Sequence, residues 1–242
     1  MKRPLLVAAL SAIFLAALVI SACQKTKYVP PPASVTVVHA MANETHSIAS
    51  LFGAKQSLQY FSTMQKINRY ASFLFSPVAG PTSIQVVPST DTMFNILNIN
   101  LTLLSGNMYT LFLAGDSTKP DTVLTTDNIP YYPFSDSVAG IRFINLVPDS
   151  KPVLVNLQGN DPTKVDEFTN IAYKQITAFK QYAATSSSPT SYKFEIRDQT
   201  SDSLLYTYTW SYPVLKNQTI VIAGSEVVGS PTPISVFPVN NY

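Results

Sequence analysis

From residue 34 onward the apolar residues of the chain fall in short runs with strand periodicity, and no amphipathic stretch of ten or more residues suggests a helix. Ser34-Val-Thr-Val-Val-His-Ala40 has a counterpart in Gly140-Ile-Arg-Phe-Ile-Asn-Leu146, and Ser83-Ile-Gln-Val-Val87 has one in Ser191-Tyr-Lys-Phe-Glu195. Tyr109-Thr-Leu-Phe-Leu-Ala-Gly115 likewise matches Gln218-Thr-Ile-Val-Ile-Ala-Gly224. The offsets stay near-constant at 106, 108 and 109 residues, measured from Val35 to Ile141, Ser83 to Ser191 and Gly115 to Gly224. Between these anchors, Asn68–Phe75 and Ile171–Phe179 run in parallel around Tyr70 and Tyr173. Such self-similarity marks one unit used twice.

Each unit holds many short strands separated by turn clusters such as Ala79-Gly-Pro-Thr82, Leu104-Ser-Gly-Asn107 and Ser186-Ser-Ser-Pro-Thr190. About 100 residues of this pattern without βαβ alternation predict an all-β chain of two tandem immunoglobulin-like antiparallel β-sandwich domains. We place them at residues 34–129 and 140–242, joined by a linker at 130–139. The aromatic cluster Tyr131-Tyr132-Pro133-Phe134 is expected to pack between the domains and stiffen the pair.

The amino terminus reads differently. Lys2 and Arg3 precede an almost uninterrupted apolar run from Leu5 to Ile20, shorter than a comfortable membrane span and typical of a signal peptide. It is followed by Ile20-Ser-Ala-Cys23, which holds the chain's single cysteine and resembles the lipobox of bacterial lipoproteins. The resemblance implies a signal peptide over 1–22, cleavage between Ala22 and Cys23, and diacylglycerol on the Cys23 sulfur. A lipid anchor of that kind holds a protein at a membrane, and with the only cysteine consumed no disulfide can form. Gln24, where an inner-membrane retention signal would resemble Asp, leaves outer-membrane delivery as the expectation, with the periplasmic or surface-facing side open. Residues 23–33, with Pro30-Pro-Pro32, read as an extended tether.

The opening of the second unit, Ile141-Arg-Phe-Ile-Asn-Leu-Val-Pro-Asp-Ser-Lys-Pro-Val-Leu-Val-Asn-Leu-Gln-Gly159, resembles the repeat of the domain of unknown function 4397 family. Val37-Val-His-Ala40 is similar to the first-repeat version, although Met41–His46 lacks the Pro-Asp turn, and Gln218 stands where the first copy has Tyr109. The resemblance implies tandem β-sandwiches of the bacterial envelope, often lipoproteins, with no established activity and therefore no catalytic residue to carry over.

Charge and composition narrow the function. Charged residues make up 12% of the chain, about half the globular norm, and beyond Arg3 the balance is 14 basic to 14 acidic. Without a clustered positive excess, nucleic-acid binding is not expected. The two histidines, His39 and His46, are too few for a zinc site, and Asp161–Glu167 lacks the glycine and ligand alternation of a calcium loop. No nucleophile elbow or phosphate-binding glycine loop is present. Paired carboxylates of a glycoside hydrolase form in three dimensions and stay a remote alternative. The expectation is no cofactor, no metal and no enzyme.

Two features suggest surface chemistry. Tyr206, Tyr208, Trp210 and Tyr212 recur every second residue and share one face of a strand, with Thr207, Thr209 and Ser211 on the other. Such a row could stack on sugars, or fill a core because each sheet buries its more apolar face; we favour the core and keep the four as candidate ligand-binding residues. Asp followed by Ser or Thr recurs in a pattern similar to the O-glycosylation acceptors of Bacteroidota, with Thr92, Ser117, Thr122, Ser137 and Ser203 as acceptors, or else forms ordinary turns. The expected function is a lipid-anchored, non-catalytic binding or adhesion module for a glycan or an envelope protein. The alternative is a structural or assembly component of an envelope complex or fimbria.

Overall fold

The computed structural model describes residues 31–44, 46, 48–52, 64–91, 93–116, 118–159, 166–184, 191–211 and 217–241, without the side chains of 49–52 and 134. The signal peptide, Ala22, Cys23, Thr92, Ser117 and Tyr212 lie outside these residues. The described chain is all-β. Its first half forms β1 (Ser34–His39), β2 (Ile48–Phe52), β3 (Gln65–Ile67), β4 (Ser72–Phe75), β5 (Gly80–Pro88), β6 (Leu97–Leu103), β7 (Met108–Gly115) and β8 (Pro120–Thr126). Its second half forms β9 (Val138–Asn145), β10 (Val153–Leu157), β11 (Phe168–Ile171), β12 (Lys180–Ala183), β13 (Tyr192–Asp198), β14 (Leu204–Trp210), β15 (Gln218–Ala223) and β16 (Ser235–Asn240).

The first eight strands make two four-stranded sheets ordered β4-β1-β7-β8 and β3-β2-β5-β6, and the last eight make β12-β9-β15-β16 and β11-β10-β13-β14. Strand for strand, the second pair repeats the first. One pairing in each copy departs from a purely antiparallel sandwich, because β1 lies parallel to β7 and β9 parallel to β15. The loop relating the copies around Tyr70 aligns one residue later than its sequence suggests. Tyr70 N donates to the His39 carbonyl as Lys174 N does to that of Asn145, and Tyr70 and Lys174 both hold φ near +60°, at 60° and 68°. Tyr70 is thus the structural counterpart of Lys174 rather than of Tyr173.

The sheets stack in four layers around three apolar cores. Val35, Val37, Ile84, Val86 and Leu111 fill sandwich 1, and Ile141, Phe143, Val155, Phe194, Trp210 and Ile220 fill sandwich 2. Between the sandwiches, Val38, Ala40, Phe112 and Ala114 of the first meet Ile144, Leu146, Val221, Ala223 and Phe237 of the second. The sequence shows why. In β7 and β15 both alternate sets are apolar, as strands covered on both faces require, and nearly every residue is buried. In β6 and β13, by contrast, apolar and polar residues alternate, with one face toward water. The Ala-Gly that ends both central strands is also explained: Gly115 and Gly224 adopt φ of 69° and 105°, and a Cβ would collide with the Lys119 and Pro233 carbonyls.

Polar contacts mark both ends of the seam. At one end Arg142, midway along β9 and beside the start of β15, donates through Nη2 to Asp127 Oδ1 at 2.6 Å and through Nε to Thr219 Oγ1 at 2.8 Å. Asp127 also accepts from Thr110 Oγ1 at 2.6 Å and Thr125 Oγ1 at 2.9 Å, and the Arg142 guanidinium lies 4.5 Å from the Phe179 ring centre. Both charged side chains are nearly fully buried. At the other end Asn43 N donates to Thr232 Oγ1 at 2.7 Å, beyond the finish of β1 and β15. The central strands β1, β7, β9 and β15 therefore all start at the near end, where the chain enters at Pro31, and finish at the far end, roughly 25 Å away for eight residues of strand.

The connector is stiffened differently from expectation. Asn217 clamps it, donating from Nδ2 to the Pro130 carbonyl at 2.7 Å and accepting Gly140 N at 2.9 Å. Tyr131 instead points to solvent, 87% exposed, because the seam is already closed by aliphatic side chains with Phe112 and Phe237.

Candidate functional site

The far end of sandwich 2 carries an open recess of about 370 Å³, lined by Leu205, Glu226, Val227, Val228, Pro233 and Ile234 among others. It forms because the connection from β15 to β16 arches outward instead of turning tightly. Asp149, in the Pro148-Asp149 turn, pins the arch: its Oδ2 accepts Ser225 Oγ at 2.8 Å, Glu226 N at 3.0 Å and Val227 N at 3.2 Å. A further bond from Ser225 N to the Thr232 carbonyl, 2.9 Å, closes the base. Val228, at the crest, is fully exposed, and Val227 is largely so.

The recess also has polar lining, from Ser225, Glu226 and Ser230. Glu226 Oε1 is buried and accepts no hydrogen bond. Burial raises the Glu226 carboxyl above its ordinary value, and the negative charges of Asp149 and Asp198 push it further, against the pull of Lys151. Asp198 moves the other way, held down mainly by hydrogen bonds from Ser201 and Thr200. Two carboxyls driven apart in this way could divide acid and base roles. Here, however, Asp149 accepts from the β15–β16 arch and Asp198 from its own turn, and the lining has no aromatic ring on which a sugar would stack. The arrangement suits attraction of a cation beside apolar groups.

The residues singled out by sequence lie elsewhere. Trp210 is 1% exposed, and its Nε1 donates to Gln218 Oε1 at 2.6 Å. Tyr206 and Tyr208 are half-buried against the same core, and burial pushes the Tyr208 hydroxyl up to about 12. The row faces inward, since the opposite face carries exposed Thr207 and Thr209; these rings line the core of sandwich 2 and make no open platform. Of the described O-glycosylation candidates, Ser203 is exposed on the β13–β14 turn, Thr122 lies half-buried on β8, and Ser137 is half-buried with φ of 49°. Asp91 and Asp116 act as turn formers, accepting Met93 N at 3.1 Å and Thr118 N at 2.7 Å.

His39 and His46 do meet, though through a backbone group: His39 Nε2 lies 3.1 Å from the His46 carbonyl, and His46 Nδ1 lies 3.0 Å from Glu44 Oε1. Among the described residues no three His, Cys, Asp or Glu side chains are grouped to hold a metal. Sequence reasoning missed the recess. Its available signal was Val227-Val228, two adjacent apolar residues set in a turn of Gly, Ser and Pro.

No protein-family model and no curated protein matches the chain. Among solved structures it is similar to CBMbc, a family 26 carbohydrate-binding module from Eubacterium rectale Amy13K in complex with maltoheptaose, at 8% identity and a TM-score of 0.25, covering 85% of this chain and 96% of that one. It is also similar to the tip fimbrial protein Mfa3 from Porphyromonas gingivalis, with a C-terminal truncation, at 10% identity and a TM-score of 0.27, covering 87% and 100%. Superpositions this loose carry no argument about function.

Proposed function

We propose that the protein is a non-catalytic binding lipoprotein of the bacterial envelope, anchored through Cys23, whose far-end recess takes a short protein segment that sets a lysine or arginine between apolar side chains. The observation that carries this reading is the recess itself, in which Leu205, Val227, Val228, Pro233 and Ile234 share the lining with two serines and a carboxyl whose Oε1 lacks a partner, at the end opposite the chain's point of entry. A ligand pocket of this type is mostly apolar with few orienting polar groups. A cation supplies the donor that Glu226 Oε1 lacks. The seam would hold the recess at the end of the body opposite Pro31, where the chain enters. The lack of rings in the lining favours a protein segment over a glycan.

The test is titration of the full-length protein with short peptides that differ only in a central lysine, glutamine or glutamate flanked by leucines, alongside soluble glycan fragments. Amide resonances of Val227 and Val228 should shift with the lysine peptide alone, and Glu226→Gln should abolish the response. Shifts produced by glycans and not by peptides would overturn the assignment in favour of sugar capture. Silence toward both, with concentration-dependent self-association, would favour an assembly component.

A further inference from the structure

We propose that the near end of the molecule is a membrane-seating rim, with Val78, Leu104 and Tyr131 resting in the headgroup layer of the bilayer that holds the anchor; this rests on lipidation at Cys23. The three side chains come from three separate segments, the β4–β5 turn, the β6–β7 turn and the connector, and are 58%, 61% and 87% exposed. They gather where the described chain begins. Pro32 bridges to Val78, and Gly106 N donates to the Pro32 carbonyl at 3.3 Å. Asp127 N donates to the Met108 carbonyl at 2.8 Å, which brings the connector to the same end.

The three segments that carry these side chains, residues 76–79, 104–107 and 128–133, contain no Asp, Glu, Lys or Arg; the charges flanking them are Asp127, buried in its pair with Arg142, and Asp136. Uncharged turns with exposed aliphatic side chains and a tyrosine suit the interface of a bilayer, where tyrosine rings lie with the hydroxyl toward water. The length of chain outside the described residues points to the same occupant. Pro31 follows Cys23 by eight residues, a reach of at most about 25 Å in extended polyproline form. With that reach, the rim where the chain enters is the part of the folded body that would lie nearest the lipid.

The experiment uses the full lipidated chain in vesicles of phosphatidylethanolamine and phosphatidylglycerol, with an environment-sensitive fluorophore on Leu104→Cys or, for comparison, on Val228→Cys. Flotation scores the anchor, and quenching by headgroup nitroxide lipids scores the seating. The expected result is flotation of both, with the label at 104 blue-shifted and quenched several-fold more strongly than the label at 228. Flotation with equal, weak quenching at both positions would overturn the rim while leaving the anchor intact. Failure to float would overturn the anchor and the rim with it. In the variant Val78→Ser with Tyr131→Ser, the label at 104 should lose most of its quenching while flotation persists, and unchanged quenching would also count against the rim.

Discussion

The two sandwiches share one strand order and differ in what fills them. Counted from Ile48, which lies opposite Ile67 and Pro88 as Val153 lies opposite Ile171 and Asp198, sandwich 1 has Val37, Thr82 and Ile84 where the second places Phe143, Tyr192 and Phe194. Leu101 lies opposite Thr82 as Trp210 lies opposite Tyr192. The second core is accordingly a lattice of rings, with Phe143 and Phe194 edge-on at 5.3 Å and Tyr182 edge-on to Phe194 at 5.4 Å. The difference teaches that this topology is specified by the alternation pattern and by the doubly covered strands β7 and β15, which both copies keep, while core volume can be supplied by aliphatic or aromatic groups.

The sharpest way to break that comparison is to remove the ring at one of the paired positions. Trp210→Ala deletes a fully buried indole and leaves Gln218 Oε1 without its donor. We expect a loss of about 3 to 5 kcal/mol. Leu101→Ala, at the buried equivalent, should cost about 2 to 3 kcal/mol. Denaturant midpoints followed by far-ultraviolet circular dichroism measure both. Equal losses would mean that the rings add nothing beyond the aliphatic core.

A second prediction concerns whether the two copies act as one body. The Arg142 to Asp127 pair is buried and bridges the sandwiches, and removing one member of such a pair leaves the other charge stranded. Asp127→Asn should therefore cost about 3 kcal/mol. Since Trp210 is the only tryptophan and sits in sandwich 2, its fluorescence reports that half alone. In the parent protein fluorescence and circular dichroism should trace one transition, and in the variant they should separate. Coincident curves in the variant would show that the apolar seam of Phe112, Val221 and Phe237 holds the halves together unaided.

Much of this was legible in the sequence, and the limits have physical causes. Strand alternation and constant offsets read out the duplicated unit because both are properties of the local chain. The inward direction of Trp210 followed from the Thr-rich face opposite. The parallel pairing of β1 with β7 was not legible, since parallel and antiparallel strands buried on both faces have the same composition. Nor was the role of Arg142 visible: its partner Asp127 lies at the end of the preceding sandwich, and only folding brings the two within 2.6 Å. The recess is a loop shape set by Asp149, and Val227-Val228 alone did not single it out. Tyr131 was misread because a cluster of aromatics looks like packing until the seam is seen to be full.

The smallest expected effect tests a buried polar position at which the copies diverge. Asn145 satisfies its amide fully, donating to Ser150 Oγ at 3.0 Å and the Ile171 carbonyl at 3.1 Å and accepting Val147 N at 3.0 Å. His39 occupies the same place in sandwich 1, fully buried, with Nε2 donating to the His46 carbonyl and Nδ1 unpartnered. Burial lowers its pKa below the ordinary 6.5, with Arg69 adding to the effect and the His46 bond and Glu44 opposing it. The unfolded chain thus binds a proton near pH 6.5 that the folded protein refuses until the pH is lower. Stability should be level with respect to this group above that pH and fall as the pH drops through it toward the folded-state value. Asp116, Asp121 and Asp198, all held below 3.8, contribute only at more acidic pH. Denaturant midpoints of the parent protein should therefore decline between about pH 7 and pH 5, and His39→Asn, which installs the residue of the second copy, should flatten that decline. A slope unchanged by the substitution would place the titrating group elsewhere and remove His39 as the acid-sensitive point of sandwich 1.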